Sequence, residues 1–438
     1  MTRRLYLHVG APKSGTTYLQ SVLRHNRARL RDAGVLVAGR RHVEAVRAGL
    51  VVREDPRVRN LSPYDAASWD RIVAEIRSWS GDVAILSYEL LSAATAKQAR
   101  AALARFEGIE VHVVFSARDF GRALPSAWQE RIKFALTTPL ESWVPRREDD
   151  PRAEWGWRTM DPTGVLSRWG DGLDPARVHL VTVPPRGSEP TELWTRFARA
   201  CRLDGMPLDL GVTTANESLD PATAELLRRV NAYVGAPIVG NREHARWIRD
   251  TLAHRVLVPR GGKEGLGMTD LQFEEARTRS AAAIEALRAR GYDVHGDLED
   301  IRATRPTGRT PGEVDDAELV EVAAQAIADL LVLLREATLS GPTSGDDEDA
   351  EPGDGLTTRA RTAARRAAEE TGAAYLRRRT DQMAGEIERL EAEVRSGRVL
   401  QRRVSELEDV VMELLLPAED QDDEQLLAAI KRYRRESL

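Results

Sequence analysis

The sequence predicts a doubly wound α/β fold, in which a mostly parallel sheet lies between two layers of helices. Residues 5–9 form an apolar run that ends at a glycine and is followed by apolar positions at helical spacing, which predicts a strand, a loop and a helix. Further apolar runs at 83–86, 111–115 and 178–183 alternate with amphipathic helical patterns. Near-continuous apolar strands separated by helices are typical of a parallel sheet that is buried on both faces.

The composition is that of one large domain with appendages. The chain has 438 residues, of which 42% are hydrophobic, and this is enough to fill a sizeable core. The formal net charge of −5 argues against a general nucleic-acid binder, so an anion site would be built from local groups. We therefore expect no nucleic-acid partner.

The sequence also predicts a cytoplasmic protein without a transmembrane segment. The first strand begins almost at the N-terminus, which leaves no room for a signal peptide, and no stretch reaches the roughly 18 apolar residues of a membrane span. Cys201 is the single cysteine, so an internal disulfide cannot form, which fits a reducing compartment. The high ratio of arginine to lysine, with abundant alanine, is typical of a GC-rich bacterial genome.

The turn after the first strand has the composition of a phosphate-binding loop. Gly10 and Gly15 allow backbone N–H groups to point inward, and the helix that follows directs its positive end at the same place. Lys13 supplies a positive charge, and it is one of only five lysines among 64 basic residues. The alternative is an ordinary glycine-containing turn. The residues predicted to hold the anion are Pro12, Lys13, Ser14, Gly15, Thr16 and Thr17.

The spacing of this loop differs from that of a nucleoside triphosphatase. Such loops read G-x-x-x-x-G-K-[ST], with lysine directly after the second glycine. Here the two glycines keep their distance, but Thr16 occupies the position of that lysine and the lysine lies at position 13. The clamp on a γ-phosphate is therefore missing, which argues against a P-loop kinase or NTPase but leaves it as an alternative.

Residues 12–17 resemble the 5′-phosphosulfate loop of sulfotransferases that use 3′-phosphoadenosine 5′-phosphosulfate (PAPS), especially the bacterial and Golgi-type branch. The resemblance implies a P-loop-like sulfotransferase fold with PAPS as the sulfuryl donor. It covers residues 5–20 and 111–133, and it is absent after about residue 300.

The resemblance also implies a second element that holds the 3′-phosphate. In the family an arginine follows a later strand, and a serine lies eight residues further on in the next helix. Arg118 and Ser126 have this separation, shortly after the apolar run at 111–115. The alternative for Arg118 is a loop arginine paired with Asp119.

Glu89 is the predicted catalytic base. It follows the apolar run at 83–86 as the phosphate loop follows the first strand, so it lies at the same edge of the predicted sheet. A carboxylate there can accept the proton of an attacking hydroxyl or amine. In the bacterial and Golgi-like relatives a glutamate after this strand serves as the base, and Glu89 is its apparent match. The alternative is an acid at a helix N-terminus that only interacts with the helix dipole.

His8 is another candidate close to the loop. It lies inside the first strand, where a histidine hydrogen-bonded in the interior is the favoured interpretation and a helper to Glu89 is the alternative. No group of histidine, cysteine or carboxylate residues has the spacing of metal ligands. Sulfuryl transfer from PAPS needs no metal, so none is expected.

Four further residues are weaker candidates. Gln129 and Lys133 are four residues apart and share one face of the helix predicted over 119–134, a face that either looks into the cleft or is solvated. Arg260 and Lys263 lie in a basic, glycine-containing loop. PAPS enzymes commonly close the 3′-phosphate site with a late loop of this character, and the alternative is a surface turn.

Two other segments carry expectations about local structure. Residues 40–62 are rich in arginine and unpatterned, which predicts loops and short helical pieces along the rim of an acceptor pocket. Residues 139–169 have a helical pattern that includes four tryptophans.

The composition divides the chain into four parts. Residues 1–302 form the predicted sulfotransferase domain, and residues 303–340 form a linker and an acidic helix. Residues 341–356 are an acidic Gly/Ser/Pro linker that cannot bury a core. Residues 357–438 are helical, with apolar residues at alternating steps of four and three that predict a coiled coil. We expect homo-oligomerisation through this region; a helix that folds back on the enzyme domain is the alternative.

These patterns predict an enzyme that transfers the sulfuryl group of PAPS to a hydroxyl or amine and releases 3′-phosphoadenosine 5′-phosphate (PAP). Glu89 removes the acceptor proton, and Lys13 with the loop N–H groups stabilises charge on the leaving phosphate. The acceptor is a small molecule or glycan, and carbohydrate, lipid and small metabolite all remain open. The alternatives are a P-loop nucleotide kinase or NTPase and a non-catalytic coiled-coil scaffold with a relic nucleotide pocket.

Overall fold

Six parallel strands form one sheet in the described part of the chain. The computed structural model describes residues 2–39, 42–150, 153–212, 218–235 and 237–339. The strands are β1 (Arg4–His8), β2 (Val35–Val37), β3 (Val83–Ser87), β4 (Glu110–Ala117), β5 (Val178–Thr182) and β6 (Asp293–His295). Their order is β2-β3-β1-β4-β5-β6, and each neighbouring pair is parallel. This confirms the predicted α/β fold with a parallel sheet.

The sheet separates two apolar cores. Along β1, Leu5 and Leu7 belong to the larger core, whereas Tyr6 belongs to the smaller one. The alternation follows from the period of two in a strand, which directs successive side chains to opposite faces. Both faces of the sheet are therefore covered, as the unbroken apolar runs in the sequence predict.

Helices connect the strands and cover both faces of the sheet. The α-helices in the described ranges are α1 (Thr16–His25), α2 (Arg27–Asp32), α3 (His42–Val52), α4 (Pro63–Ala66), α5 (Ser68–Ser78), α6 (Ala96–Ala104), α7 (Phe120–Ile132), α8 (Trp157–Met160), α9 (Pro162–Trp169), α10 (Glu192–Ala200), α11 (Pro221–Val234), α12 (Asn241–Glu243), α13 (Val258–Arg260), α14 (Asp270–Arg290) and α15 (Asp316–Leu339). A π-helix spans His244–Leu257, and 3₁₀-helices span Pro56–Asn60, Glu89–Ala93, Leu140–Ser142, Pro175–Arg177, Leu298–Ile301 and Pro311–Glu313. Buried residues of α1 and α10 belong to the smaller core, and those of α5, α7, α9 and α14 to the larger one.

The segments that carry the predicted site residues leave the same edge of the sheet. β1 lies between β3 and β4, and all three strands run in the same direction. Residues 10–17 follow β1, Glu89 follows β3 and Arg118 follows β4. In open parallel sheets, ligands bind outside the carboxyl ends of the strands where the strand order reverses, and β1 occupies that position here.

The structure corrects the expectation for residues 40–62. The first part is the eleven-residue helix α3, which packs against α5, whereas residues 53–62 are the expected loop with a short 3₁₀-helix, Pro56–Asn60. Ala45, Ala48 and Val52 are the buried residues of α3 in the larger core, and they recur at steps of three and four. The many arginines conceal this narrow apolar face in the sequence.

The helical pattern over 139–169 is realised only in part, by the 3₁₀-helix Leu140–Ser142 and by α8 and α9. After the 3₁₀-helix Leu140–Ser142 the described chain is non-helical until α8. Gly156 adopts a φ of 142°, and a Cβ atom at this residue would lie 2.7 Å from Cβ of Pro145. Glycine and proline both disfavour a helix, and this stretch contains both.

The compact unit continues beyond residue 302, where the sequence predicted its end. Residues 303–339 belong to the same unit as the sheet, and Ala303, Val314 and Leu319 are buried. The predicted acidic helix is present as α15, which packs on α11. The proline- and threonine-rich segment before it is therefore a wall of the domain rather than a linker.

The C-terminal predictions cannot be compared with the fold. The acidic segment 341–356 and the coiled coil predicted over 357–438 lie outside the described residues. Within the described ranges, no helix combines the length and the apolar character needed to cross a bilayer.

Candidate active site

The loop after β1 is shaped by residues in the left-handed region of backbone space. Gly10, Lys13 and Gly15 have φ values of 59°, 63° and 80°. A Cβ atom on Gly10 would lie 2.8 Å from Cβ of Glu89 and 2.9 Å from its Cα, so this glycine is required for the loop to pass the end of β3. Lys13 adopts the same conformation although it is not a glycine. A positive φ is uncommon in non-glycine residues, and the residues that have one are often found at functional sites.

The hydrogen-bond donors that the loop offers to an anion are chiefly backbone N–H groups. Gly15 is the N-cap of α1, and no described side chain caps this helix. The N–H groups of its first turn therefore remain available to a ligand. Ser14 is buried and its hydroxyl donates to the carbonyl of Ala11 at 2.6 Å, while Thr16 is buried and Thr17 is exposed. Pro12 is buried beside them.

The ammonium group of Lys13 lies against a carboxylate that the sequence analysis did not single out. Lys13 Nζ donates to Glu130 Oε1 at 2.9 Å, and Lys133 Nζ donates to the same oxygen at 3.0 Å. Burial alone would raise the pKa of Glu130, but the two ammonium charges outweigh it and lower the pKa to about 2. Glu130 is therefore ionised at neutral pH and holds Lys13 beside α7. Its position three residues before Lys133 was the signal available in the sequence.

Arg118 joins the two predicted anion-binding elements. Its Nη1 donates to the carbonyl oxygen of Lys13 at 2.6 Å and to Ser126 Oγ at 3.3 Å. Its Nε is buried and has no hydrogen-bond partner within the described residues. Asp119 accepts from the N–H groups of Gly121 at 2.8 Å and Thr304 at 3.0 Å, so the alternative pairing of Arg118 with Asp119 is not formed in the structure.

Both elements line one cavity of about 660 Å³. The loops that follow β4 and β5 form two of its sides, and residues 262–266 and 299–308 form the others. Seven basic residues line it against four acidic ones. The basic residues are Lys13, Arg118, Arg122, Arg186, Lys263, Arg302 and Arg305. The excess of positive charge favours an anionic ligand.

The acidic residues of this cavity are bound to other groups. Glu264 pairs with Arg309, Glu299 pairs with Arg302, and Asp300 pairs with Arg196. In contrast, four of the basic residues have no ion pair within the described part of the chain: Arg118, Arg122, Arg186 and Lys263. These four residues line the cavity without an ion-pair partner among the described residues.

The clustering of arginines also affects the protonation equilibrium of Arg118. Burial, together with the neighbouring charges of Arg122 and Arg186, lowers the pKa of Arg118 to about 9. The guanidinium remains protonated at neutral pH, but its charged form is stabilised less than in water. A bound phosphate would supply the missing counter-charge and an acceptor for Nε.

Glu89 lies beside the phosphate loop but does not line this cavity. It is the first residue of the 3₁₀-helix Glu89–Ala93, and Gln20 Nε2 donates to its Oε2 at 2.8 Å. Gln20 also donates to Ser87 Oγ at 3.3 Å, so it ties the carboxylate to the end of β3. This arrangement fits both interpretations of Glu89, the base and the acid at a helix N-terminus.

His8 lies in the interior of the sheet. It is fully buried, and its Nδ1 and Nε2 lie 2.8 Å from Ser87 Oγ and 2.7 Å from Ser116 Oγ. Burial lowers the pKa of His8 to about 3, so the ring is neutral at physiological pH. The structure therefore favours the hydrogen-bonded interior histidine over a helper to Glu89.

The four weaker candidates divide into two groups. Gln129 and Lys263 line the cavity, whereas Lys133 and Arg260 do not. Gln129 Nε2 donates to the carbonyl of Leu219 at 3.0 Å, and Lys133 is completely buried, so their face of α7 is not solvated. Arg260 donates to both carboxylate oxygens of Asp329 at 2.6 Å, which directs its charge towards α15.

Comparisons with known proteins give limited matches. Residues 383–437 match a family described as a domain of unknown function, DUF6752. No curated protein matches the chain. A sulfotransferase domain from the curacin biosynthetic pathway aligns with 47% of this chain and 76% of its own at 12% identity and a TM-score of 0.29. A sulfotransferase from Alicyclobacillus acidocaldarius aligns with 57% of this chain and 96% of its own at 13% identity and a TM-score of 0.32. Similarity at this level gives no argument about activity.

Proposed function

We propose that the chain is a PAPS-dependent sulfotransferase. The observation that carries this proposal is the position of Arg118, which contacts Lys13 on one side and Ser126 on the other at the wall of a basic cavity. The two sequence elements that resemble the phosphosulfate loop and the 3′-phosphate site thus meet at one cavity. A ligand with two anionic groups, joined by a nucleoside, matches this arrangement.

The local chemistry favours PAPS over a nucleoside triphosphate. The buried Nε of Arg118 offers a donor to a phosphate at the second element, and a guanidinium is suited to a dianionic group. A triphosphate site would need a lysine directly after Gly15, and Thr16 occupies that place. Among the described residues that line the cavity, basic groups outnumber acidic ones. This suits an anionic ligand whose charge is not neutralised by a bound metal ion.

In the proposed reaction the acceptor oxygen or nitrogen attacks sulfur in line with the bond to the leaving phosphate. The new bond to sulfur forms as the S–O bond to the 5′-phosphate breaks, and PAP leaves with the electron pair. Lys13 and the N–H groups at the start of α1 stabilise the charge that develops on the phosphate oxygens. Glu89, held by Gln20 beside Gly10, accepts the acceptor proton.

The acceptor is a hydroxyl or amine of a carbohydrate, a lipid or a small metabolite. Incubation of the full chain with ³⁵S-labelled PAPS and an extract of its source cells tests the proposal, because label that moves to a new compound identifies both the reaction and the acceptor. The expected result is a labelled product whose formation needs no Mg²⁺. Matched incubations with Lys13→Ala and with Lys97→Ala, an exposed lysine of α6, separate a site effect from a general loss of positive charge.

Two outcomes would contradict the proposal. Mg²⁺-dependent hydrolysis of ATP, with no transfer from PAPS, would favour a P-loop NTPase. Tight binding of PAP without any labelled product across a broad set of acceptors would favour a non-catalytic scaffold that retains a nucleotide pocket.

A further inference from the structure

Three side chains converge on one point between the neighbouring strands β5 and β6, and none of them lines the cavity. His179 belongs to β5, and Asp293 and His295 belong to the edge strand β6. His179 Nδ1 lies 2.8 Å from Asp293 Oδ2, His295 Nε2 lies 3.0 Å from the same oxygen, and the two nitrogens are 3.4 Å apart. All three atoms thus lie within 3.4 Å of one another.

We propose that His179, Asp293 and His295 bind a zinc ion. Zinc at about 2.0–2.1 Å from nitrogen and oxygen ligands in tetrahedral geometry places those ligand atoms roughly 3.3–3.4 Å apart. The separation of the two nitrogens already has this value, and each nitrogen needs to move away from the carboxylate oxygen by about half an ångström or less. A water molecule supplies the fourth ligand, because Asp293 is on the surface.

The donor set selects the class of ion. Two imidazoles and one carboxylate suit zinc, cobalt and nickel, whereas calcium and magnesium prefer oxygen ligands alone. His179 is buried, His295 is partly exposed and Asp293 is exposed. The side of Asp293 is therefore open for the ion to enter.

The hydrogen bonds behind His179 match the outer partners of a histidine that binds a metal. His179 Nε2 lies 2.7 Å from His112 Nδ1, and His112 Nε2 lies 2.8 Å from Glu110 Oε1. Together with the contact to Asp293, these contacts form a continuous row from Glu110 to the proposed site.

With an ion bound at His179 Nδ1, Nε2–H of the same ring donates to His112 Nδ1, and His112 Nε2–H donates to Glu110. Every ring nitrogen in the row then has a partner. Histidine ligands of metals almost always donate their second N–H in this way, and such outer partners orient the ligand ring. His112 and Glu110 are thus positioning residues of the proposed site.

The ion would join β5 to a strand of only three residues. β6 leads into the 3₁₀-helix Leu298–Ile301. The stretch 299–308, which begins inside this helix, forms one wall of the cavity. The proposed zinc would therefore link β6, and with it this wall of the cavity, to β5. The proposal stands independently of the sulfotransferase activity. Sequence spacing did not predict it, since His179 and the two residues of β6 are far apart in the chain.

Binding of Co²⁺ to the untagged, full-length protein tests the site. The protein is stripped with a chelator, dialysed, and titrated with Co²⁺ while the visible absorption of tetrahedral cobalt is recorded. We expect one equivalent to bind, and zinc to displace it. His295→Ala and Asp293→Asn are expected to lose this signal. His25→Ala is the matched control, because His25 forms an exposed pair with Asp209 at 2.9 Å and has no second histidine in the pair.

A second variant keeps the test decisive if the ligand variants do not fold. Glu110→Gln leaves all three ligands in place and is expected to weaken Co²⁺ binding by about tenfold to a hundredfold, as loss of an outer partner does in metal sites. Zinc is also expected to raise the melting temperature of the wild type and of His25→Ala but not that of Asp293→Asn. The proposal is overturned if the wild type shows no tetrahedral cobalt spectrum, or if His295→Ala and Asp293→Asn bind Co²⁺ as the wild type does.

Discussion

Lys13 has three features that are rarely combined in one residue. It adopts a positive φ, its carbonyl accepts from Arg118, and its ammonium lies against Glu130 at the edge of the cavity. Lys13 belongs to the first predicted anion site, and both its carbonyl and its ammonium contact residues of the second. A residue in this position can respond to both ends of one ligand.

Replacement of Lys13 tests its proposed role in the transition state. Removing a donor aimed at developing charge costs about 10²–10³-fold in kcat, so we expect Lys13→Ala to lower kcat by at least this order with a smaller change in KM. Steady-state rates with labelled PAPS measure both constants, with Lys97→Ala as the control. An unchanged kcat would show that Lys13 does not act on the leaving phosphate.

Glu130 is the residue whose loss should affect stability most strongly near the site. Its carboxylate binds the completely buried Lys133 as well as Lys13, and breaking a buried pair costs about 3–5 kcal/mol. We expect Glu130→Gln to lower the free energy of unfolding by about 3 kcal/mol in urea denaturation. Glu274→Gln, which removes an exposed partner of Arg277, should change it by less than about 1 kcal/mol.

His8 makes stability depend on pH. Its pKa is about 3 in the folded protein and about 6.5 in an unfolded chain, so between these values the unfolded state binds the extra proton. The free energy of unfolding is therefore expected to fall as the pH falls from 6.5 towards 3, by about 1.4 kcal/mol per unit from this residue. His8→Gln should have a shallower slope than the wild type between pH 6.5 and 5. Equal slopes would contradict a buried, neutral His8.

At the scale of elements, α7 carries most of the second anion site. Ser126, Gln129 and Glu130 lie on it, and its N-cap is Asp119, which also accepts from the backbone of Thr304. The helix start and the cavity wall at 299–308 are thus held by one carboxylate. A change in this cap should alter both stability and ligand binding.

Asp119→Ala tests this coupling. Loss of an N-cap costs about 1 kcal/mol, and the loss of the contact to Thr304 adds to it, so we expect unfolding at lower urea concentration and weaker binding of PAP. Asp174 caps the 3₁₀-helix Pro175–Arg177, away from the cavity, so Asp174→Ala should lower stability slightly and leave PAP binding unchanged. Equal PAP affinity in wild type and Asp119→Ala would contradict the coupling.

The elements that the sequence predicts well are those whose signal is local. The strand, glycine turn and helix around Lys13 follow one another directly, and the same holds for β4, Arg118 and α7. β6 was missed because Asp293–His295 contains a single apolar residue, which gives no strand pattern. Glu130 was missed because its partner Lys13 is distant in the chain. The role of Asp119, which faces Thr304 rather than Arg118, also depends on a contact between distant segments.

At the scale of the whole molecule, the described unit closes its cavity with residues from its C-terminal part. Gly308 lies so close to Gly265 that a Cβ atom would meet the carbonyl of that residue, so the two walls of the cavity touch. Composition alone indicated a linker here, because prolines and threonines hide the few buried residues that attach the segment. The matched family at 383–437 falls inside the region for which the sequence predicts a coiled coil.

We propose that residues 357–438 mediate self-association, as the alternating apolar spacing predicts. Light scattering coupled to size-exclusion chromatography should give a multiple of the 48.6 kDa chain mass for the full-length protein and a monomer for residues 1–341. A monomeric full-length protein would instead favour a helix that folds back on the enzyme domain. The shorter protein is expected to bind PAP as the full chain does.

The most direct measurement compares the affinities of PAP and AMP, which differ by the 3′-phosphate, for the wild type and for Arg118→Ala. If Lys13 and Arg118 hold opposite ends of one nucleotide, the wild type should bind PAP more tightly than AMP by about tenfold to a hundredfold, the value of a charge-assisted hydrogen bond. In Arg118→Ala this preference should disappear, while Arg100→Ala, which removes a surface pair with Asp171, should keep it. Equal affinity of the wild type for both nucleotides, or a preference that survives in Arg118→Ala, would contradict the account.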